Sequence, residues 1–383
     1  MKKKKPLNKE IKPELIADET AEQKSDYSSN LFYLFLKTNL LALFFASIML
    51  FMTAIAIGIW GYSKYQRFAN TAEINIIELR ETLEKGWTQE PMATNNYKNI
   101  LLLGVDSLTG RGNVPPLTDT MMLLTINLKT GQVNTLPFPR DLWSEKYQTK
   151  INALYFYGQE RFPNKPEQFT EETLEELTGV EIHHTLVVSL DKLEELIDTI
   201  GGVTIDIPVG FTDEEFPRPN IDVTIERDPK ILYQTITFEP GKQTLSGEKA
   251  LQYIRSRHSE GDEGTDISRG ARQQLVIKAL VTQLMNFDQY LKQPELAGEL
   301  YKFYDENFAS AFSLEEAVST AKKLLPVRDQ IELQNHQFST TKEDPTNGLL
   351  DNPRPSYLYQ NQWVYTIKNE ANFKLAVQEM LFQ

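Results

Sequence analysis

Residues 253–274, YIRSRHSEGDEGTDISRGARQQ, gather Arg255, Arg257, Arg269 and Arg272 into one glycine-spaced stretch of a chain whose formal net charge is −13. Guanidinium groups at this density suit a phosphate or pyrophosphate, because the planar fork donates two parallel hydrogen bonds to neighbouring oxygens. Ser246 caps a short helix in LSGEKALQYIR, which passes into extended chain at RSRH, where Arg255 and Arg257 share one face. After the acidic loop EGDEGT, DISRGARQQLVIKALVTQLM has helical periodicity with Asp266 or Ser268 as its cap. Arg269 and Arg272 then lie near the positive end of the helix dipole, and Gly270 between them costs a further ~1 kcal/mol. An anion bound at the helix N-terminus offsets these unfavourable choices. The alternative is that the arginines pair with Glu260, Asp262, Glu263 and Asp266 in a solvated charged face.

A second set of groups comes from three apolar runs. YKNILLLGVD has the pattern of a buried strand ending in a loop, and TDTMMLLTINLKTGQVNTLPFPRD gives strands over 120–128 and 132–138 joined by the turn KTG. If the three strands run up, down and up, one sheet edge receives Asp106, Asp119, Arg140 and Asp141. Magnesium suits such an edge, since it commonly takes one or two carboxylates and completes its octahedron with water and phosphate oxygens. The competing reading is that Asp106 and Asp119 merely cap turns. The glycines of GVDSLTGRG allow close backbone approach, but the loop lacks the lysine of a P-loop.

The elements that must position these groups fill a chain of 383 residues with a globular composition, 40% hydrophobic and 24% charged. The acidity excludes nucleic acid as the main partner, because duplex binding needs a broad basic face. There are no cysteines, which removes disulfides, thiolate catalysis and cysteine-type zinc sites. Residues 39–62 carry no charge and exceed the roughly 20 residues that span a bilayer, so 38–62 is predicted to be an uncleaved transmembrane helix. The head, 1–37, holds eight lysines against six acids, which favours a disordered cytoplasmic tail and an extracytoplasmic main domain, single-pass in the cell membrane. Residues 63–96 read as a helical stalk and linker.

The motifs NILLLGVD, TDTMMLLTIN, PFPRDLW, GGVTIDIP, LSGEKALQYIRSRH and DISRGARQQ, in that order after a membrane helix, resemble the LytR-CpsA-Psr family of cell-envelope proteins. The resemblance covers 97–290 and implies a catalytic domain over 97–383: an α/β fold of three-layer α/β/α architecture with a central mixed sheet. It implies transfer of a phosphorylated glycopolymer from a polyprenyl pyrophosphate carrier to a cell-wall acceptor glycan. It makes Asp106 and Asp119 the ligands of Mg2+ (or Mn2+), and Arg140, Arg255, Arg257, Arg269 and Arg272 a pyrophosphate clamp. Asp266 and Gln273 match supporting polar positions, and Asp141 joins the catalytic set. The family usually has an Arg-Ser pair where this chain has Leu117 and Thr118; Arg111 is the substitute within reach. An apolar tunnel for the lipid is implied too, although Leu275 and Ala279 suit a core better.

A site of arginines, carboxylates and a metal suits displacement at phosphorus, which needs charge neutralisation and alignment more than a protein nucleophile. Two other functions fit the same residues: a polyprenyl pyrophosphate hydrolase, and a non-catalytic envelope regulator that binds the lipid carrier. Elsewhere, 169–209 reads helix, strand, helix, strand, with Gly179 and Gly201 as stops. His183 and His184, adjacent in a strand, point to opposite faces and make a poor metal pair. The acidic, proline-containing residues 208–240 read as a long excursion near the site, a lid or acceptor-binding loop.

Overall fold

The structure is a computed structural model and describes residues 46–105, 116–218, 221, 226–257, 259, 264, 266–284 and 286–382. The chain divides into a unit ending at Gln66 and one beginning at Arg67. Helix α1 (Ala46–Ala72) is long and apolar enough to cross a membrane, and Met49, Leu50, Phe51 and Met52 on it are largely exposed, as lipid-facing side chains are. The helix predicted over 38–62 therefore continues to Ala72 at its C-terminal end.

Three strands, β1 (Tyr97–Val105), β2 (Thr118–Asn127) and β3 (Gln132–Phe138), form the expected meander. Both pairings are antiparallel, with Ile100 opposite Leu124 and Leu123 opposite Leu136. The turn between β2 and β3 closes where Asn127 Oδ1 accepts the Lys129 and Thr130 amides and Gly131 takes φ +80°, an angle that costs glycine nothing. Three more helices, α2 (Ile76–Thr88), α3 (Leu154–Arg161) and α4 (Glu167–Thr178), and the two-residue strands β4 (Trp143–Ser144) and β5 (Thr149–Lys150) flank the meander in sequence. Strand β6 (His184–Ser189) then pairs parallel to β1.

The second half of the chain begins with α5 (Leu190–Thr199), β7 (Val203–Ile207), β8 (Phe211–Pro217), α6 (Pro229–Leu232), β9 (Tyr233–Phe238) and β10 (Gly241–Leu245). Helices α7 (Gly247–Arg255), α8 (Asp266–Leu284), α9 (Phe287–Lys292), α10 (Pro294–Asn307) and α11 (Leu314–Leu324) follow. Strand β11 (Glu332–Asn335) joins the sheet parallel to β3, giving the mixed order β11-β3-β2-β1-β6. The chain closes with β12 (Leu350–Asp351), β13 (Thr366–Ile367) and α12 (Glu370–Phe382).

Because strand side chains alternate, Leu101, Leu103, Met121, Leu123, Leu136 and Phe138 face one side. They share a core with Phe169 and Leu174 of α4 and Phe373, Val377 and Leu381 of α12. Lys98 alternates to the other side and meets Glu316 of α11. Helices on both faces of a mixed sheet are the expected layered α/β fold. A second core packs α5, the antiparallel pairs β7–β10 and β8–β9, and α7 around Tyr253, with Val276 of α8 inserted. Ala279 packs against this core.

Two segments differ from the sequence reading. Within 208–240, β8 and β9 pair antiparallel and bury Phe211, Phe216, Ile236 and Phe238; these strands belong to a core and are no lid. Within the stretch predicted to be a stalk, α2 docks on α11. A Cβ on Gly86 would meet the Glu315 carbonyl oxygen at 2.7 Å, Lys85 pairs with Glu315, and Lys322 donates to the Trp87 carbonyl at 2.6 Å. A lone sequence window showed helical spacing but not what its apolar side would meet.

The two adjacent histidines do separate jobs. His183 Nδ1 accepts the Asn99 amide at 2.9 Å, whereas His184 Nδ1 donates to the Ala311 carbonyl at 2.9 Å. Burial pushes the pKa of both below the usual histidine value, and does the same to His336. As pH falls below ~6.5, the unfolded chain takes up these protons before the folded one does. Stability is therefore expected to be full above that pH and to decline below it. Thermal melting at pH 7.5 and 5.5 checks this; an unchanged midpoint contradicts it.

Candidate functional site

The meander delivers its edge as the up-down-up order requires. Val105 pairs with Thr118 across a bulge at Gly104, and Met121 pairs with Phe138, so the start of β2 lies beside the ends of β1 and β3. Asp119 is the second residue of β2, not a residue before it. Arg140 Nη1 donates to Asp119 Oδ1 at 2.8 Å, and its Nε lies 3.5 Å from Asp141 Oδ2. Lys150, at the end of β5, donates to Asp141 Oδ1 at 2.5 Å. The four side chains form one line of alternating charge, Asp119–Arg140–Asp141–Lys150. Asp141 is held on both sides and buried, whereas the Asp119 side chain is 42% exposed. Among the described residues no hydrogen bond reaches Asp119 Oδ2.

A cavity of about 130 Å³ opens beside this line, and Asp119, Arg140, Asp141, Arg269, Gly270 and Gln273 all contribute to its lining. The anion-binding pattern thus brings the helix that carries Arg269 to the carboxylate edge. Within the line two carboxylates cancel two cations, and in the rest of the lining Arg269 is offset by Glu343, so the positive charge is a local one at the Arg269 and Arg140 guanidinium groups.

The arginine cluster divides its labour. Ser246 caps α7 by accepting the Lys249 amide, and Arg255 is the last residue of that helix. Arg255 is half-buried and Arg257 exposed; neither lies in the cavity lining. Arg255 closing a helix means that the extended-chain reason for its sharing a face with Arg257 does not apply. Arg272 is 2% exposed, donates to the Ser256 carbonyl at 2.6 Å and sits over the Phe211 ring at 4.7 Å. It braces the turn after α7 from below and lies outside the cavity lining. Asp213, fully buried on β8, accepts from Ser256 Oγ at 2.6 Å and from the Arg257 amide at 3.1 Å. Asp106 and Arg111 fall outside the described residues, as does the side chain of Asp266; the backbone of Asp266 opens α8. Thr118, where the family pattern has a serine, is buried and donates to the Asn152 carbonyl at 3.1 Å.

Five contributors were not foreseen from the sequence. Lys150 sits in TKINALYFYG, where one lysine among apolar residues just before a short 3₁₀ turn was the available signal. Gln337, Phe338 and Tyr365 reach the cavity from the C-terminal region, where a polar loop and a short strand gave no hint. Asp213 lay in the segment taken as a lid. Among the described residues no group of three or more His, Cys, Asp or Glu side chains is placed to hold a metal.

The fold recurs in solved proteins. The crystal structure of Bacillus subtilis TagV superposes with a TM-score of 0.50 at 21% identity, covering 75% of this chain and 98% of that one. A Streptococcus agalactiae protein gives a TM-score of 0.51 at 20% identity, covering 75% and 88%. In sequence, the chain is 24% identical over 261 residues to the polyisoprenyl-teichoic acid–peptidoglycan teichoic acid transferase TagU of Bacillus subtilis, covering 66% of this chain and 72% of that protein. TagU of Oceanobacillus iheyensis is 28% identical over 275 residues, covering 71% and 74%. The LytR_cpsA_psr family model matches residues 62–370, most of the length and nearly all of the second unit, and the chain belongs to that family.

Proposed function

We propose that this chain is a membrane-anchored, Mg2+-dependent phosphotransferase that moves a phosphorylated glycopolymer from a polyprenyl pyrophosphate carrier to a cell-wall acceptor glycan. The observation that carries the reading is the line Asp119–Arg140–Asp141–Lys150 at the same cavity as Arg269 and Gln273. The names of the TagU relatives, teichoic acid transferases acting between a polyisoprenyl carrier and peptidoglycan, support the substrate class. The apolar helix α1 supports a membrane location.

In the reaction, an acceptor hydroxyl attacks the polymer-linked phosphorus, a new P–O bond forms as the hydroxyl proton passes to water, and the bond to polyprenyl phosphate breaks with its electrons leaving on that group. Arg269 and Arg140 bind and orient the phosphates, because fixed guanidinium groups stabilise the charge that builds on transferring phosphoryl oxygens. Asp141, hydrogen-bonded to Lys150 and 3.5 Å from Arg140 Nε, helps hold the Arg140 fork in place. Asp119 keeps an open anionic oxygen, the donor chemistry that a hard divalent cation requires. With Asp106 it would hold Mg2+, which supplies charge neutralisation at the phosphates.

The full chain in detergent, given a polyprenyl pyrophosphate-linked oligosaccharide, wall glycan and Mg2+, is expected to yield glycan-linked polymer and polyprenyl phosphate in equal amounts. Chelation is expected to stop both. Phosphate release with no linked product at any acceptor concentration would identify a hydrolase instead. Binding without turnover under any divalent cation would identify a lipid-carrier binder.

A further inference from the structure

A second hollow, an open cleft of about 580 Å³, lies at the turn of the β4–β5 hairpin and is bordered by Tyr147, Gln148, Tyr157, Glu160, Arg161 and Gln360. We propose that it binds the acceptor glycan, as a subsite for several sugar rings on the side of the reaction cavity that the hairpin defines. The proposal rests on the transferase reading for the identity of the glycan, but the cleft's chemistry speaks for a saccharide by itself. Tyr157 is 45% exposed, and Tyr147 packs edge-on to the buried Phe169 at 4.7 Å. Aromatic rings accept the C–H faces of sugars. Around them stand two amides, a carboxylate and a guanidinium, which together can donate to and accept from vicinal hydroxyls.

The same set fits other ligands badly. The guanidinium of Arg161 stacks 4.8 Å from the Phe169 ring and 5.9 Å from that of Tyr147, and Glu160 next to it balances its charge, so the cleft lacks the cationic excess that a phosphate or nucleic acid needs. Its open mouth and polar border leave no enclosed apolar volume for a lipid chain.

The backbone supports the assignment. Gln148 and Gln360 have φ of +51° and +53°, angles uncommon outside glycine and asparagine. The two residues are joined by a hydrogen bond from Gln360 Nε2 to the Gln148 carbonyl at 2.9 Å. Held in these conformations, they border the cleft at a cost that an ordinary surface turn avoids.

Position links the cleft to the reaction. Both strands of the hairpin that carries Tyr147 and Gln148 end at the catalytic line, β4 beginning two residues after Asp141 and β5 ending at Lys150. A second connection runs through residues 360–365. Gln360 borders the cleft, whereas Tyr365 lines the reaction cavity; its amide donates to the Asp141 carbonyl at 2.9 Å and its carbonyl accepts from the Trp143 amide at 2.8 Å. Five extended residues span at most about 17 Å. A glycan of a few sugars seated in the cleft can therefore present a hydroxyl to the cavity. The donor, with its charged pyrophosphate, belongs to the arginine side, and the uncharged polyol partner belongs here.

The test uses the full chain with chitotetraose, a soluble uncharged tetrasaccharide of N-acetylated amino sugars, titrated calorimetrically with no donor present. Tyr157→Ala and Gln360→Ala are expected to weaken its binding about tenfold and to raise the acceptor KM by a similar factor. The turnover number at saturating acceptor and the acceptor-free loss of polyprenyl phosphate should stay unchanged. Tyr157→Phe, which keeps the ring, should bind as the wild type does and so separates ligand contact from misfolding. Wild-type-like binding by both alanine variants, or no binding by the wild type at millimolar probe, overturns the proposal. Because binding is read without donor, a wild type that binds chitotetraose in this cleft yet transfers nothing refutes only the transferase reading.

Discussion

Asp119→Asn is expected to lower glycopolymer transfer by about 10²–10³-fold, the usual cost of removing one electrostatic contributor from a preorganised site. Asparagine keeps the size of the side chain and an oxygen that can accept from Arg140 Nη1, which lies 2.8 Å from Asp119 Oδ1. What it loses is the anionic oxygen proposed to meet the divalent cation. The substitution thus separates two roles that alanine would confound: holding Arg140, which asparagine can still do, and offering charge, which it cannot. The Asp119 side chain is 42% exposed, and surface changes of this kind stay within about 0.5 kcal/mol of stability. Steady-state transfer alongside thermal melting checks both halves. Wild-type transfer by Asp119→Asn would confine the residue to orienting Arg140 and remove it from the proposed metal site.

That Asp119 could be singled out at all follows from how local its placement is. The apolar run within TDTMMLLTIN, buried at Met121, Met122 and Leu123 in succession, and the tight KTG turn fix an up-down-up meander, and a meander alone brings Asp119 to Arg140 and Asp141. Strand β3 over 132–138 and the Ser246 cap of α7 were legible for the same reason: each is decided by side chains within one or two turns of chain. Asp266 and Ser268, read as alternative caps of α8, both lie inside the helix. What the sequence hid are contacts between residues far apart in the chain. Asp213 lies 43 positions before Ser256, yet its buried carboxylate anchors the turn that carries Arg257. Its neighbourhood, rich in acids and prolines, gave the signal of an exposed loop, because β8 alternates buried and exposed residues over only seven positions. Arg272 looked like a ligand for an anion because an arginine early in a helix breaks a local rule. The compensation found among the described residues is the Ser256 carbonyl and the Phe211 ring. Helix α2 read as a stalk because the surface it covers, on α11, is some 230 residues away.

The largest stability effect should come from a residue that no motif marks. Glu316 is expected to cost about 3–5 kcal/mol when replaced by alanine, the penalty for leaving a buried charge without its partner. Lys98 has no exposed surface; its ammonium contacts Glu316 Oε1 and lies 3.2 Å from both the Met92 carbonyl and His184 Nε2. His184 donates through Nδ1 to the Ala311 carbonyl, so Nε2 carries the lone pair and accepts from Lys98. Glu316 also accepts the Met92 amide at 2.7 Å. Burial would raise its pKa, but the hydrogen bond and charge of Lys98 override this and hold it below the ordinary value; burial pulls Lys98 down despite the glutamate. One carboxylate therefore ties the segment before β1, the first residues of β1 and β6, and helix α11 together. Replacing both ions by apolar residues, as in Lys98→Met with Glu316→Leu, removes the uncompensated charge and should recover most of the loss. Chemical denaturation of the two singles and the double measures the coupling; additive losses would contradict it. Lys98 stands at the start of β1, about 23 Å at ~3.3 Å per residue from the Val105 end where Asp119 lies. At temperatures where the variants stay folded, transfer by all three should match the wild type, which sets this network apart from the Asp119–Arg140–Asp141–Lys150 line.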